Sequence, residues 1–123
     1  MKTIPEMKET VRQFLIGNGF DQNNYFVEGD TYHFPGKAEI TSEIRFNPIA
    51  GQEMEYKHLE GRTVQVKEVY RSNGTDANQS IEITVTDWHG CCGKRILREK
   101  LYARHGAKKT ASVLASVLEA YHG

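Results

Sequence analysis

The residues best suited to covalent or metal chemistry are His89, Cys91 and Cys92, which lie within one short segment. Cysteine thiolates act as nucleophiles and as zinc ligands. Structural zinc sites usually take two ligand pairs such as C-x-x-C, so this adjacent pair of cysteines would need distant histidines. Cysteine catalysis needs a base and an orienting acid, and Asp87 is the one acid evident beside His89. The sequence therefore predicts no catalytic residue, metal or cofactor, with these three residues as the alternative candidates.

Binding chemistry is offered by residues 94–109, which hold seven of the sixteen Lys and Arg residues. Residues 1–93 carry nine basic and fourteen acidic side chains and sum to −5, whereas residues 94–123 carry seven and two and sum to +5. The net charge of the chain is zero. Such segregation favours contact with an acidic partner, or contact between the opposite charges of two copies.

The spacing within residues 94–104 indicates how these cations could act together. A helix is one interpretation, but a strand would place every second side chain on one face. Pairing that strand with residues 81–89 through a three-residue loop at 90–92 matches Val85 with Leu97 on the inner side and Trp88 with Lys94 on the outer side. Aromatic rings beside cations are typical of proteins that bind single-stranded nucleic acid. The predicted binding residues are Trp88, Lys94, Arg98, Lys100, Tyr102 and Arg104.

Two other interpretations of this surface stay open. A helix could cover it, which would make Trp88 and Tyr102 core residues. Alternatively, the basic row could pair with Glu53, Glu55 and Glu60 in the same or a neighbouring molecule, because charge clusters are often paired internally.

Both ends of the chain have the pattern of amphipathic helices. Residues 4–16 place an apolar side chain every three or four positions, and Thr3 with Glu6 fits a capping box. Residues 107–121 form the second predicted helix. Its predicted apolar stripe consists of Ala107, Ala111, Leu114, Val117, Leu118 and Tyr121.

Between the helices, alternation predicts strands. Two aromatic runs, 25–27 and 32–34, suit a hairpin. Residues 38–46 alternate cleanly and predict a strand with one solvent-facing side, residues 47–62 predict a loop, and residues 64–70 and 81–86 predict the central hairpin. The predicted fold is a single α+β domain over residues 1–123, with a mainly antiparallel sheet of about four to six strands and the C-terminal helix packed on one face.

These observations predict a non-enzymatic binding or accessory protein. It would present a basic, aromatic-bearing surface over residues 88–109 to an acidic protein or nucleic acid. A self-associating adaptor or inhibitor, forming a homo-oligomer through opposite charges, is the alternative, and a cysteine-dependent or metal enzyme is the third class. No apolar run is long enough for a membrane span and no signal core opens the chain, so we expect no membrane contact and a cytoplasmic location.

Overall fold

A computed structural model describes residues 2–70 and 78–123. These residues form two helices and one six-stranded antiparallel sheet, so the fold is α+β as the sequence predicts. The segment between the two strands of the predicted central hairpin, polar over residues 72–80, lies mostly outside the described residues. The elements in chain order are α1 Ile4–Gly17, β1 Phe26–Glu28, β2 Thr31–Phe34, β3 Glu39–Asn47, β4 Gln52–Val69, β5 Ser80–Gly90, β6 Cys92–Tyr102 and α2 Ala107–His122.

Helix α1 begins at the predicted capping box. The Glu6 backbone N–H donates to Thr3 Oγ1 at 3.2 Å, and the Thr3 N–H donates to Glu6 Oε1 at 3.4 Å. These bonds satisfy donors that have no partner within the first helical turn. Helix α2 occupies the predicted range, but its buried side is rotated from the predicted stripe: Ala111 is exposed, whereas Thr110 and Val113 are buried.

The long strand β4 organises the sheet. Residues 59–69 pair with β5 on one side, while on the other side β2 pairs with residues 64–67 and β3 with residues 52–60. The strand order is therefore β1-β2-β4-β5-β6, with β3 beside the first half of β4. Residues 52–58 pair with β3 alone.

Both helices pack on one face of the sheet, here called the inner face. Alternate residues of β4 and β5 point towards the helices, and this face and the helices share one core of buried apolar side chains. The largest contributors are Met7, Val11, Leu15, Val64, Val66, Ile81, Ile83, Val85, Leu101 and Val117, each at most 1% exposed. The predicted packing of the C-terminal helix on one sheet face is confirmed.

The prediction of a loop over residues 47–62 is wrong. These residues end β3, make a turn and form the first half of β4. Residues 41–58 thus form a two-stranded ribbon beyond the end of β5, here called the arm. The predicted burial of one side of β3 is also wrong, because residues 39–46 are all exposed. Neither helix in the described residues contacts β3 extensively enough to cover it.

The described helices are also too short or too polar to span a bilayer.

Candidate functional site

The candidate site lies on the outer face of the sheet, opposite the two helices. In the described part of the chain, the helices pack on the inner face, so the predicted alternative of a helix over this surface is not what the structure shows. Alternation along β5 and β6 brings two aromatic rings and a row of cations to the outer face. They are Trp88, Arg95, Arg98, Lys100 and Tyr102.

A β-bulge sets which cations share this face. The predicted pairs Val85 with Leu97 and Thr84 with Arg98 are confirmed, but the register shifts after Val85, and Thr86 pairs with Arg95. Ile96 is the extra residue in β6, and this insertion shifts the partners of residues 92–95, between Ile96 and the turn, by one position. The connection then needs two residues, Gly90 and Cys91, rather than the predicted three.

The bulge corrects two predictions. Trp88 lies opposite Gly93, not Lys94, and Lys94 lies opposite Asp87 with its side chain on the inner side of the sheet. Arg95 takes the outer position that had been assigned to Lys94. The sequence contains one sign of this shift, because Ile96 interrupts an otherwise polar row.

The indole of Trp88 is held across the strands. Its Nε1–H donates to Thr63 Oγ1 on β4 at 2.8 Å. On the β6 side it lies over Gly93, where a Cβ would approach the indole Cε3 to 2.7 Å. A side chain at position 93 would therefore displace the ring. Trp88 is half-buried, so one surface of the indole packs on the sheet while part of it faces solvent.

A buried polar network fixes the ring from below. Gln65 Oε1 accepts hydrogen bonds from the hydroxyls of Thr84 and Thr86 at 3.0 and 2.9 Å, and Gln65 Nε2 donates to Thr63 Oγ1. No buried side-chain polar atom in the described residues lacks a hydrogen-bond partner. Because these groups satisfy one another, the network orients Trp88 rather than offering reactive groups.

The cations of β6 differ in how they are paired. Arg98 Nε lies 3.0 Å from Glu82 Oε1. Lys94, Arg95 and Lys100 form no ion pair within 4 Å with a residue that the structure describes, Glu53, Glu55 and Glu60 included. For Lys94, Arg95 and Lys100, the predicted pairing with those three acids is therefore not found among the residues that the structure describes.

One predicted residue, Arg104, extends the surface beyond the end of β6. The Arg104 guanidinium lies 4.3 Å from the ring centroid of Tyr102, and the His105 ring meets Tyr102 edge-on at 5.3 Å. Of the six predicted binding residues, the structure thus places Trp88, Arg98, Lys100 and Tyr102 along one face, with Trp88 and Tyr102 at opposite ends of it. Arg104 lies beside Tyr102, and Lys94 lies on the other side of the sheet.

The opposite edge of the outer face is internally paired. The His33 ring stacks on Phe26 with centroids 4.7 Å apart, and Lys57 Nζ lies 4.1 Å from the Phe26 centroid. Burial lowers the pKa of His33, Glu28 partly opposes that shift, and Lys57 adds to it. Among the described residues, the outer-face cations without an ion pair are therefore Arg95 and Lys100 on β6 and Lys67 on β4.

At the β5–β6 turn, the described residues do not assemble a site for the alternative cysteine or metal chemistry. Cys91 and Cys92 are exposed free thiols, and His89 lies 3.6 Å from Glu60 and 3.8 Å from Asp87. No group of three or more His, Cys, Asp or Glu residues in the described chain is placed to hold a metal ion.

No protein family model matches this chain, and neither a curated protein nor a solved structure is significantly similar to it. The fold and the outer face define a class by geometry alone: an antiparallel α+β sheet with helices on one face and an aromatic, basic surface on the other.

Proposed function

We propose that this chain is a non-enzymatic binding protein that receives an acidic macromolecule, best represented by a single-stranded nucleic acid, on the outer face of its sheet. The observation that carries the proposal is the position of the Trp88 indole. It spreads over Gly93, with the cations Arg95 and Lys100 on the same face and unpaired with described residues.

Stacking and charge act together in this arrangement. Unpaired bases stack on aromatic rings without regard to sequence, while cations neutralise the phosphates. The polar network around Gln65 holds the indole in one orientation, so little side-chain freedom is lost when a base stacks on it. A double helix cannot offer its bases this way, which favours the single-stranded form.

A simpler explanation accounts for part of the charge. Edge strands often carry Lys and Arg because charge blocks the addition of another strand, and β6 is an edge strand. For edge protection, the exact positions of the cations along β6 do not matter. It does not require Gly93 to be small or an indole to lie across three strands, so the proposal rests on Trp88 and not on charge alone.

The test is fluorescence anisotropy of labelled single-stranded DNA, single-stranded RNA and duplex DNA at ~50 and ~200 mM salt. We expect single strands to bind more tightly than duplex, to weaken steeply with salt through counterion release, and to quench Trp88, which is the one tryptophan in the sequence.

A matched pair of variants separates the surface from net charge. Arg95→Ser with Lys100→Ser removes two outer-face cations, whereas Lys108→Ser with Lys109→Ser removes the same charge from α2. We expect a loss of affinity of at least about tenfold in the first variant and a smaller loss in the second. Equal losses, or no binding at the lower salt, would overturn nucleic acid as the partner and leave an acidic protein for this face.

A further inference from the structure

The arm exposes apolar side chains that nothing in the described chain covers. Ile44, Phe46 and Ile49 are 69%, 64% and 97% exposed. Exposed apolar side chains grouped on one small element are typical of a contact surface. A two-stranded ribbon alone is also marginally stable in water, so an additional layer would stabilise it.

Charge indicates the occupant. On the outer side of the arm, Ile44 and Phe46 of β3 lie opposite Glu55 and Glu53 of β4. An apolar row therefore runs beside an acidic row. The acidic row does not suit a nucleic acid, because phosphates would meet carboxylates.

The complementary surface is present on the same molecule. On the outer face of β5 and β6, Arg95 lies next to Trp88, and Arg98 and Lys100 follow further along β6. An apolar and acidic patch thus has an aromatic and basic counterpart. β4 runs through both regions as one continuous strand, so the two patches lie on the same face of one sheet.

We propose that the arm of one copy docks on the outer face of a second copy, and that the contact is reciprocal. A two-fold axis between two facing sheets exchanges any two patches on that face, so both contacts form at once. Ile44 and Phe46 pack near the partner's Trp88, and Glu53 and Glu55 approach the row of cations that begins at the partner's Arg95 and ends at the partner's Lys100.

The size of the arm sets the expected strength. The seven residues 52–58 extend about 23 Å at roughly 3.3 Å per residue. With two strands about 10 Å wide, each arm covers roughly 230 Å² in projection. Each copy gives one arm and receives one, so the two contacts bury roughly 900 Å² in total, which is the size of a weak, transient contact. The dimer is therefore concentration-dependent rather than obligate.

This inference rests on the proposed function in using the same face as the binding surface, and it adds a regulatory consequence. An arm on the outer face covers Trp88, so dimerisation and nucleic-acid binding exclude each other. High protein concentration protects the face, and an oligonucleotide dissociates the dimer by mass action.

The test is sedimentation velocity of the full chain from ~1 to ~200 μM at ~50 and ~500 mM salt, combined with exchanged charges. One variant is Glu53→Lys with Glu55→Lys, and the other is Arg95→Glu with Lys100→Glu. We expect the wild-type chain to dimerise at the lower salt and each variant alone to be monomeric. An equimolar mixture of the variants should dimerise again, since both contacts regain opposite charges. Circular dichroism of each variant checks that it is folded.

A third variant controls for attraction between opposite net charges. Lys108→Glu with Lys109→Glu changes the charge as much as the β6 variant does, but on α2. It should dimerise alone and should not rescue the arm variant. A monomeric wild-type chain at every concentration, a β6 variant that still dimerises, or a mixture that stays monomeric would overturn the inference.

The two proposals fail separately. Oligonucleotide binding by a chain that never dimerises would leave the proposed function standing without the arm contact. A dimer restored by the exchanged charges in a chain that binds no oligonucleotide would leave the arm contact standing without a nucleic-acid partner.

Discussion

The two halves of β4 show how differently one strand can be used. In the body of the sheet, Val64 and Val66 are at most 1% exposed, because β2 and β5 flank them and the helices cover them. In the arm, Met54 is 38% exposed and Phe46, on the paired strand, is 64% exposed. Alternation of apolar and polar residues therefore identifies a strand without showing that its apolar side is buried.

Local contacts order the arm in place of a core. The Arg45 guanidinium lies 4.4 Å from the Tyr56 ring centroid, and Asn47 Nδ2 donates to Tyr56 Oη at 2.9 Å. At the turn, Asn47 Oδ1 accepts hydrogen bonds from the backbone N–H groups of Ile49 and Ala50. Such pairs contribute only about 0.2–1 kcal/mol each, so the body supplies most of the stability.

The largest expected effect comes from the centre of the body. Ile83→Ala removes a fully buried side chain between the helices and the sheet, and we expect a loss of about 2–5 kcal/mol in the free energy of unfolding. Urea denaturation followed by circular dichroism measures it. A loss below about 1 kcal/mol would mean that the inner face is loosely packed and that the two regions differ less than the burial indicates.

The junction between body and arm gives the next effect. Gly61 has φ of +116°, and a Cβ there would lie 3.3 Å from Ala38 Cα. Gly61→Ala forces a side chain into a backbone conformation that L-residues avoid, so we expect a cost of about 1–3 kcal/mol. The same denaturation assay applies, with Gly51→Ala as a comparison at the arm turn, where φ is +69° but the added Cβ meets open space.

The parts of the fold that local sequence patterns determine could be predicted. The capping box placed the start of α1, and matching apolar faces gave the Val85–Leu97 register. Prediction failed where tertiary contacts decide. The first half of β4 carries acids on one side and mixed residues on the other, as a loop can. The one local sign of the bulge is that Ile96 interrupts a polar row, and this does not by itself distinguish a bulge from an exposed apolar residue.

At the candidate site, tertiary contacts also decide which cation lies on the outer face: the sequence predicts Lys94, and the structure has Arg95. The residue types that suit binding were recognisable, because Trp88 and the cations are visible in the sequence. Which cation shares the face with the indole depends on one inserted residue. The network around Gln65 could not be predicted, because it joins residues of two strands whose pairing the sequence predicts without its register.

A substitution at Gly93 tests whether packing against the body of the sheet fixes the Trp88 indole in place. In Gly93→Ala, the new Cβ would meet the Trp88 ring and Thr86 Cγ2 at 2.7 and 2.9 Å. The indole must move, and the hydrogen bond to Thr63 is lost, so we expect a cost of about 1 kcal/mol and a shift of tryptophan emission. An unchanged emission spectrum would show that the ring is not fixed across the strands.

A pH-dependent effect is expected where the arm meets the body, at His33. Burial lowers the pKa of this residue in the folded chain, with Lys57 acting in the same direction and Glu28 against it. The neutral form therefore stabilises the fold above the ordinary pKa of about 6.5, and this contribution is lost as pH falls through the lowered value. We expect His33→Gln to lose less stability than the wild-type chain between pH 7.5 and pH 5.5, as measured by urea denaturation. Burial also lowers the pKa of His105, so the pH dependence of the free energy of unfolding of His105→Gln serves as the comparison.

The smallest effect on the isolated chain is expected in the arm itself. Phe46→Ser replaces a large apolar side chain that solvent already surrounds, so the free energy of unfolding should change by no more than about 0.5 kcal/mol at low protein concentration and high salt. At high concentration and low salt, a dimer held by the arm adds stability that the variant lacks, because a partner that binds only the folded chain shifts the unfolding equilibrium. The melting temperatures of wild type and variant should therefore coincide in the first condition and separate in the second. Curves that separate equally in both conditions would mean that Phe46 stabilises its own chain, and the contrast between a buried body and an uncovered arm would fail at the residue where it is sharpest.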